Sequence, residues 1–307
     1  MQLGGVLALV LASLLWGTTG TSASFLPANV SPLAVGASTM GIGGLLLFAA
    51  TVRPAIRVLR DRAARRWVVL GAAGVFVYPL AFYAGMNLAG VAVGNVVALG
   101  SGPVFAAILE WVIERRALSR RWLVATLIAV AGIALLTIGK IPDAGAGPRD
   151  TLAGAGLALL AGLAYALYTY ASSRAIHSAV PDVDGRPPAS NGAMGAMFGI
   201  GAVLLLPVLL VTGGPLLQSW TSVGIAGYLA VGPMFVAYLL FGIGLRSIRS
   251  SSVTTITLLE PVVATVLAVV VVGERLAPVG WVGLACVLLG LGVLVTARRG
   301  PNIAQRL

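Results

Sequence analysis

The chain is predicted to be an all-α membrane protein: ten transmembrane helices forming two inverted five-helix repeats, with both termini cytoplasmic. Three observations predict this. Ten apolar segments follow one another along 307 residues, and the only charged residues inside them are Glu110 and Glu260. Seventeen of the twenty Lys and Arg residues fall in alternate gaps between those segments or in the C-terminal tail. The second half of the chain also repeats landmarks of the first at a shift of 158 residues.

The segments are 3–25, 33–52, 67–87, 92–113 and 122–139 in the first half, then 152–173, 191–212, 220–245, 253–272 and 278–297 in the second. As helices rising about 1.5 Å per residue, they match a hydrocarbon core of about 30 Å. A transmembrane β-barrel would instead show stretches of about ten residues with polar and apolar alternation. The first segment follows Met1-Gln2, which lacks the basic n-region of a signal peptide, and reads as a retained first helix. Six Arg follow the second segment: Arg53, Arg57, Arg60, Arg62, Arg65 and Arg66. Four follow the fourth, two the sixth, two the eighth, and three lie in the tail; the opposite side holds Lys140, Arg149 and Arg275. Because positively charged loops stay cytoplasmic, the alternation assigns sides. The expected units are residues 1–140, an extracytoplasmic linker at 141–151, and residues 152–307 ending in a short basic tail.

Composition narrows the function. The chain is 59% hydrophobic and only 9% charged, far from the roughly one quarter charged in soluble domains. The net charge of +11 would suit nucleic acid on a soluble protein, but here the arginines sit in short loops where topology accounts for them and lipid headgroups can meet them. No nucleic-acid partner is expected; the partners are the bilayer and a small-molecule substrate. The Ala, Gly, Val and Arg-rich usage points to a bacterial chain, hence an inner (plasma) membrane. Cys286 is the single cysteine, so no intrachain disulfide forms. No cofactor or metal is expected, and a monomer and a homodimer fit equally.

The repeat adds direction. A shift of 158 residues places Gly74 on Gly232, Pro103-Val104 on Pro261-Val262, Ala106 on Ala264 and Gly132 on Gly290. A shift of 149 places Trp16 on Tyr165. Five segments per half is an odd number, so the second copy enters the membrane upside down. Inverted repeats place a substrate site near the midplane between the halves and support alternating access.

Residues Leu258-Leu259-Glu260-Pro261-Val262, followed by Gly273-Glu274-Arg275-Leu276, resemble the signature of EamA-type transporters of the drug/metabolite superfamily, and Trp16-Gly17 is similar to that family's first helix. The resemblance covers residues 3 to 297. It implies a secondary transporter and, within the superfamily, is most like bacterial exporters of amino acids, including aromatic ones, and related metabolites. The first half departs from the pattern: Gly102 stands where Glu260 stands in the second, and Glu114-Arg115 only echoes Glu274-Arg275.

Candidate cavity residues follow from their depth. Trp67, Trp111, Trp122, Trp220 and Trp281 lie near segment ends, as interfacial Trp does. Trp16, Tyr78, Tyr83, Tyr165, Tyr168 and Tyr238 lie inside segments, where a polar tip needs a partner. Cavity water or substrate would serve, as would a neighbouring helix. Tyr165 and Tyr168, three apart, share a helical face. Glu260 is the acidic residue near a segment centre, where a carboxyl is costly and marks an interior or water path. It could bind a substrate ammonium, exchange a coupling proton, or in neutral form bond a neighbouring helix. Thr18, Asn95 and Ser101 add hydrogen-bonding capacity or tie helices together. Glu110 is expected to snorkel or pair with Arg115 or Arg116. Pro79, Pro103, Pro233 and Pro261 interrupt helical hydrogen bonding and serve as kinks or gates, with Pro103 and Pro261 as paired bends.

Other classes fit less well. His177 is the only histidine and falls in a loop region; no segment holds Asp, and no H-E-x-x-H or nucleophile elbow occurs, so the chain is not read as an enzyme. A channel would call for a filter-like run. A drug or nucleotide-sugar transporter is the alternative carrier, though no segment holds the Lys or Arg that an anionic nucleotide would require.

Overall fold

The computed structural model describes residues 3–89, 91–115, 119–138, 148–178, 190–273 and 276–295. Most of the expected linker, the basic tail, Glu274-Arg275 and most of the polar stretch before Ser190 lie outside the described residues. All regular structure among those described is helical.

The first half contains α1 (Leu3–Ala23), α2 (Pro32–Ala50), α3 (Val52–Arg60), α4 (Arg62–Ala89), α5 (Val91–Glu114) and α6 (Arg120–Ile138). Ser31 caps α2, its side chain accepting from Ala34 N at 3.2 Å, with Pro32 at the first helical position. Helix α3 and the first turn of α4 occupy the arginine-rich stretch between the second and third segments. That stretch folds as helix because its apolar residues are spaced for one face: Ala55 and Val58 are buried while Arg53, Arg57 and Arg60 are exposed. Asp61 breaks the two helices apart and caps α4, accepting from Ala63 N at 2.8 Å.

The second half contains α7 (Pro148–Ser178), α8 (Ser190–Thr212), a 3₁₀ turn (Gly214–Leu217), α9 (Trp220–Leu229), a π-helical turn (Ala230–Val236), α10 (Ala237–Leu245), α11 (Ser250–Ile256), α12 (Leu259–Leu267), a second π turn (Ala268–Val272) and α13 (Pro278–Val295). Among the described residues, eight helical stretches are long and apolar enough to cross a membrane. The fifth and tenth expected segments, α6 and α13, are helical but are not among those eight, because each runs into residues outside the described ones.

The four prolines behave differently. Pro79 and Pro103 lie inside the α-helices α4 and α5. Pro233 sits in the π turn, where the Ala237 amide bonds Gly232 O instead of its α-helical partner, Pro233 O. Before Pro261 the helix breaks at Thr257-Leu258, and Glu260 N takes the Thr257 carbonyl (2.9 Å) that Pro261 has no N–H to engage. Pro103 and Pro261, expected as paired bends, thus sit in a continuous helix and beside a break respectively.

Close packing of small residues brings the helices together. Helix α4 packs along α7, α2 along α8, α6 along α13, α5 on α7, and α1 on α12 and α10. A Cβ at Gly74 would lie 2.8 Å from Ala164 O, at Gly44 2.7 Å from Phe198 O, and at Gly132 2.7 Å from Gly283 O. The backbones touch at these points, as membrane helix packing favours. The contacts exchange between halves: α2–α8 and α6–α13 join equivalent segments, and α5–α7 is answered by α12–α1. Helix α5 ends at Arg115 with φ 52°, and the second π turn ends at Gly273 with φ 81°. These left-handed exits lie 158 residues apart, so Arg115 corresponds in conformation to Gly273.

Trp111, Trp220 and Trp281 are exposed, as interfacial residues are; Trp122 is instead buried, donating to Ser251 O at 3.3 Å. Replacing Gly74 by Val should force α4 from α7 and destabilise the protein by about 1–3 kcal/mol, a lower melting temperature in detergent. Gly156→Ala, at a position open on all sides, should leave that temperature unchanged or raise it slightly.

Candidate functional site

A cavity of about 100 Å³ lies where helices of both halves meet. Helix α4 contributes Tyr78, Pro79, Phe82 and Tyr83, with Tyr78 and Phe82 one turn apart on one face. Helix α7 adds Tyr165 and Tyr168; the first π turn and α10 add Pro233, Met234 and Tyr238; α1 adds Trp16 and Thr19; α2 adds Thr39; and α12 adds Glu260 in its first turn. Of the expected residues, Trp16, Tyr78, Tyr83, Tyr165, Tyr168, Tyr238, Glu260, Pro79 and Pro233 meet here.

The others do not. The Thr18 hydroxyl donates to Leu15 O at 2.6 Å and accepts from Tyr228 at 2.7 Å, facing away from the cavity that its neighbour Thr19 lines. Ser101 bonds Ala98 O at 3.2 Å in the α5–α7 contact, and Pro103 and Pro261 do not line the cavity. The Asn95 side chain lies outside the described residues.

The aromatic groups form one connected wall. Tyr238 packs at a tilt 4.2 Å from Phe198 and 5.0 Å from Trp16, while Tyr165 lies 5.3 Å from Tyr168 and 5.9 Å from Tyr78, centroid to centroid. Several polar tips are held by protein. Trp16 Nε1 donates to Pro233 O at 2.7 Å, the carbonyl that the π turn releases from its α-helical bond. Tyr165 OH donates to Thr257 Oγ1 at 2.6 Å, since that hydroxyl already gives its proton to Thr254 O. Tyr168 and Tyr238 share a hydrogen bond of 2.9 Å. By contrast, the Tyr78 and Tyr83 hydroxyls and the Glu260 carboxylate have no hydrogen-bond partner among the described residues, and Thr39 Oγ1 is buried without one. An apolar wall with a few open polar groups is the usual make-up of a small-molecule site. Among the described lining residues Glu260 is the only charged one.

Glycines make room for the rings. A Cβ at Gly102 would lie 2.9 Å from Tyr165 Cδ1, and one at Gly36 2.5 Å from Tyr83 Cε2. Gly102, the position equivalent to Glu260, therefore holds an aromatic ring of the other half where a second carboxylate would stand. Sequence reasoning missed Thr39 and Phe82. Phe82 could have been found from its spacing to Tyr78; a lone Thr in an apolar helix carries no such signal.

The EamA-like transporter family profile matches twice, over residues 3–138 and 152–296. The chain belongs to the EamA-like transporter family. It is a multi-pass membrane transporter and not an enzyme. It is 32% identical over 300 residues to the uncharacterized transporter YwfM of Bacillus subtilis (strain 168), covering 96% of this chain and 95% of the relative. It is 27% identical over 241 residues to the threonine/homoserine exporter RhtA of Escherichia coli (strain K12), covering 74% of this chain and 72% of the relative. A solved crystal structure shares the fold, with TM-score 0.75 and 22% identity over 95% of this chain and 96% of that one.

Substituting Gly102 by Ala should displace the Tyr165 ring and break its bond to Thr257. Once a substrate is in hand, its apparent affinity should fall about tenfold, by analogy with the cost of overpacking. Gly100→Ala, whose nearest contact is 3.4 Å from Val130 Cγ1, should change it little in the same transport assay.

Proposed function

We propose that the transporter exports small amphipathic metabolites, foremost amino acids with aromatic or apolar side chains, across a bacterial inner membrane. It does so by alternating access between two inverted five-helix repeats, residues 1–140 and 152–307, joined by an extracytoplasmic linker at 141–151. The chain crosses ten times and both termini are cytoplasmic. One observation carries the reading: the cavity is an aromatic wall with a single carboxylate, hydroxyls at Thr19, Thr39, Tyr78 and Tyr83 that have no partner among the described residues, and no Lys or Arg among its described lining residues. Such a site suits an ammonium group on an apolar body, since a cation is attracted both to a carboxylate and to the faces of aromatic rings. The Tyr78, Tyr83 and Thr39 hydroxyls are available to a substrate carboxylate. A nucleotide sugar would bring phosphates to a cavity without a basic group, so that alternative is disfavoured.

The relatives support the same class. An exporter of threonine and homoserine stands among them, and the twofold family match together with the exchanged helix contacts supports a pseudo-twofold carrier. Glu260 is assigned two successive tasks, binding the substrate ammonium and carrying a coupling proton when the site is empty.

Purified protein in liposomes should catalyse saturable counterflow of labelled amino acids, with phenylalanine, leucine, threonine and homoserine compared directly. No flux above empty vesicles for any of them would sink the proposal. Glu260→Gln should reduce flux at least tenfold and flatten its dependence on pH; normal flux with an unchanged pH profile would show that Glu260 carries neither task.

A further inference from the structure

Beyond the cavity, toward the end of the bundle that bears Arg115, Arg120, Arg121, Arg246 and Arg249, the two halves are joined by a buried polar tie. Glu110 on α5 is 3% exposed. Its Oε1 accepts from Ser250 Oγ at 2.8 Å and Ser251 N at 2.9 Å, and its Oε2 from Ser251 Oγ at 2.8 Å, all on α11. Rather than snorkelling or pairing with Arg115, the carboxylate turns inward, onto the second half, where these three bonds hold it; Arg116 lies outside the described residues. Around it, Trp122 of α6 donates to Ser251 O, and Thr126 of α6 donates to Thr255 of α11 at 3.1 Å. One turn further, Glu114 of α5 meets Arg174 and Tyr170 of α7 at 3.3 and 3.2 Å.

The tie lies well away from the cavity. Leu99 is the α5 residue that lines the cavity, and Glu110 follows eleven residues later, about 16 Å along a helix. Met194, Met197, Phe198 and Phe241 are fully buried in the same core as the cavity residues Tyr168 and Tyr238. On α11, Ser250, Ser251, Thr254 and Thr255 are buried as well, so the two halves are packed together at the arginine end.

At the repeat-equivalent positions of the opposite end the sequence carries no counterpart of these side chains. The repeat shift of 158 carries Glu110 onto Ala268 and Ser250-Ser251 onto Ala92-Val93, none of which bears a polar side-chain group. Packing has the same one-sidedness: α5 packs on α11, but among the described residues it makes no comparable packing on α12 or the π turn that follows. A carrier with equivalent gates would favour neither face; here three hydrogen bonds to a buried carboxylate load one gate alone. Parting α5 from α11 must break all of them together.

We propose that Glu110, Ser250 and Ser251 form a latch that holds the arginine end closed and makes the resting transporter face the other side. This rests on the reading of the arginine end as cytoplasmic. Cargo then enters from the cytoplasm only through a minority state in which α5 and α11 have separated, and the apparent affinity on that side is lowered by the fraction of molecules in that state.

The test reads access and needs no substrate, so an error in the cargo leaves it intact. In a Cys286→Ser background, Thr254→Cys puts a thiol on α11 one turn inside the latch, at a position that is fully buried. Inside-out vesicles treated with a membrane-impermeant maleimide should label it slowly. Labelling should be about tenfold faster when Glu110→Ala, or Ser250→Ala with Ser251→Ala, is added, and Thr39→Cys should label correspondingly more slowly in right-side-out vesicles. Unchanged rates in the folded variants overturn the latch. If Glu110→Ala does not fold, the double serine variant, which keeps the carboxylate, decides. If removing the latch instead speeds Thr254→Cys labelling in right-side-out vesicles, the latch stands and the assignment of sides is what fails.

Discussion

In a hydrocarbon solvent a polar group cannot turn to water, so each must find its partner within the protein. That constraint organises this molecule at every level. It makes all the described regular structure helical, and it accounts for where several deep hydroxyls and indoles point, while Trp67 Nε1 and Thr169 Oγ1 are buried without a partner among the described residues. Trp16 answers a carbonyl released by a π turn, Tyr165 answers a threonine at a helix break, and Tyr168 and Tyr238 answer each other. The Glu110 carboxylate is tolerated in a buried position because three donors from another helix converge on it. The Glu260 carboxylate, with no such donors among the described residues, faces a cavity.

Interruptions of the helical ladder are thus part of the site. At the π turn the Pro233 carbonyl loses its α-helical amide, and Pro261 has no N–H for the Thr257 carbonyl. In one case a tryptophan from the other half uses the freed group; in the other the chain turns locally and presents Glu260 at the start of a new helical segment. Glycines do the complementary job by letting backbones approach and rings settle. Gly102 shows how the two halves, similar in path, have become different in chemistry: the position that carries a carboxylate in one half accepts a tyrosine ring in the other. The site is therefore built on a near-symmetric frame but is itself asymmetric.

Much of the architecture was legible because the bilayer imposes strong, local rules on sequence. Segment length, arginine placement and the recurrence of Pro-Val and Gly landmarks each report a constraint that acts on the chain piece by piece. The same locality explains the expectations that did not hold. Residues 53–66 look like a charged loop until the spacing of Ala55 and Val58 places a helix there. Trp122, near a segment end, looks like an interfacial residue until a neighbouring carbonyl draws it inside. Pro103 and Pro261 are alike in sequence but not in backbone, because a continuous helix can absorb one proline where a helix already broken does not.

By itself the sequence determined the class of the protein, the depth of its aromatic residues and the singular position of Glu260, since hydropathy and charge act along the chain and can be read from it. Only the tertiary structure decided which polar groups are satisfied and which stay open. Trp16 is bonded while Tyr83 has no partner among the described residues, Thr39 rather than Thr18 stands at the cavity, and Glu110 turns inward to Ser250 and Ser251. Each of those outcomes depends on how a helix is rotated against a partner far away in sequence. In a chain where nearly every face of every helix is apolar, periodicity leaves that rotation open and packing settles it.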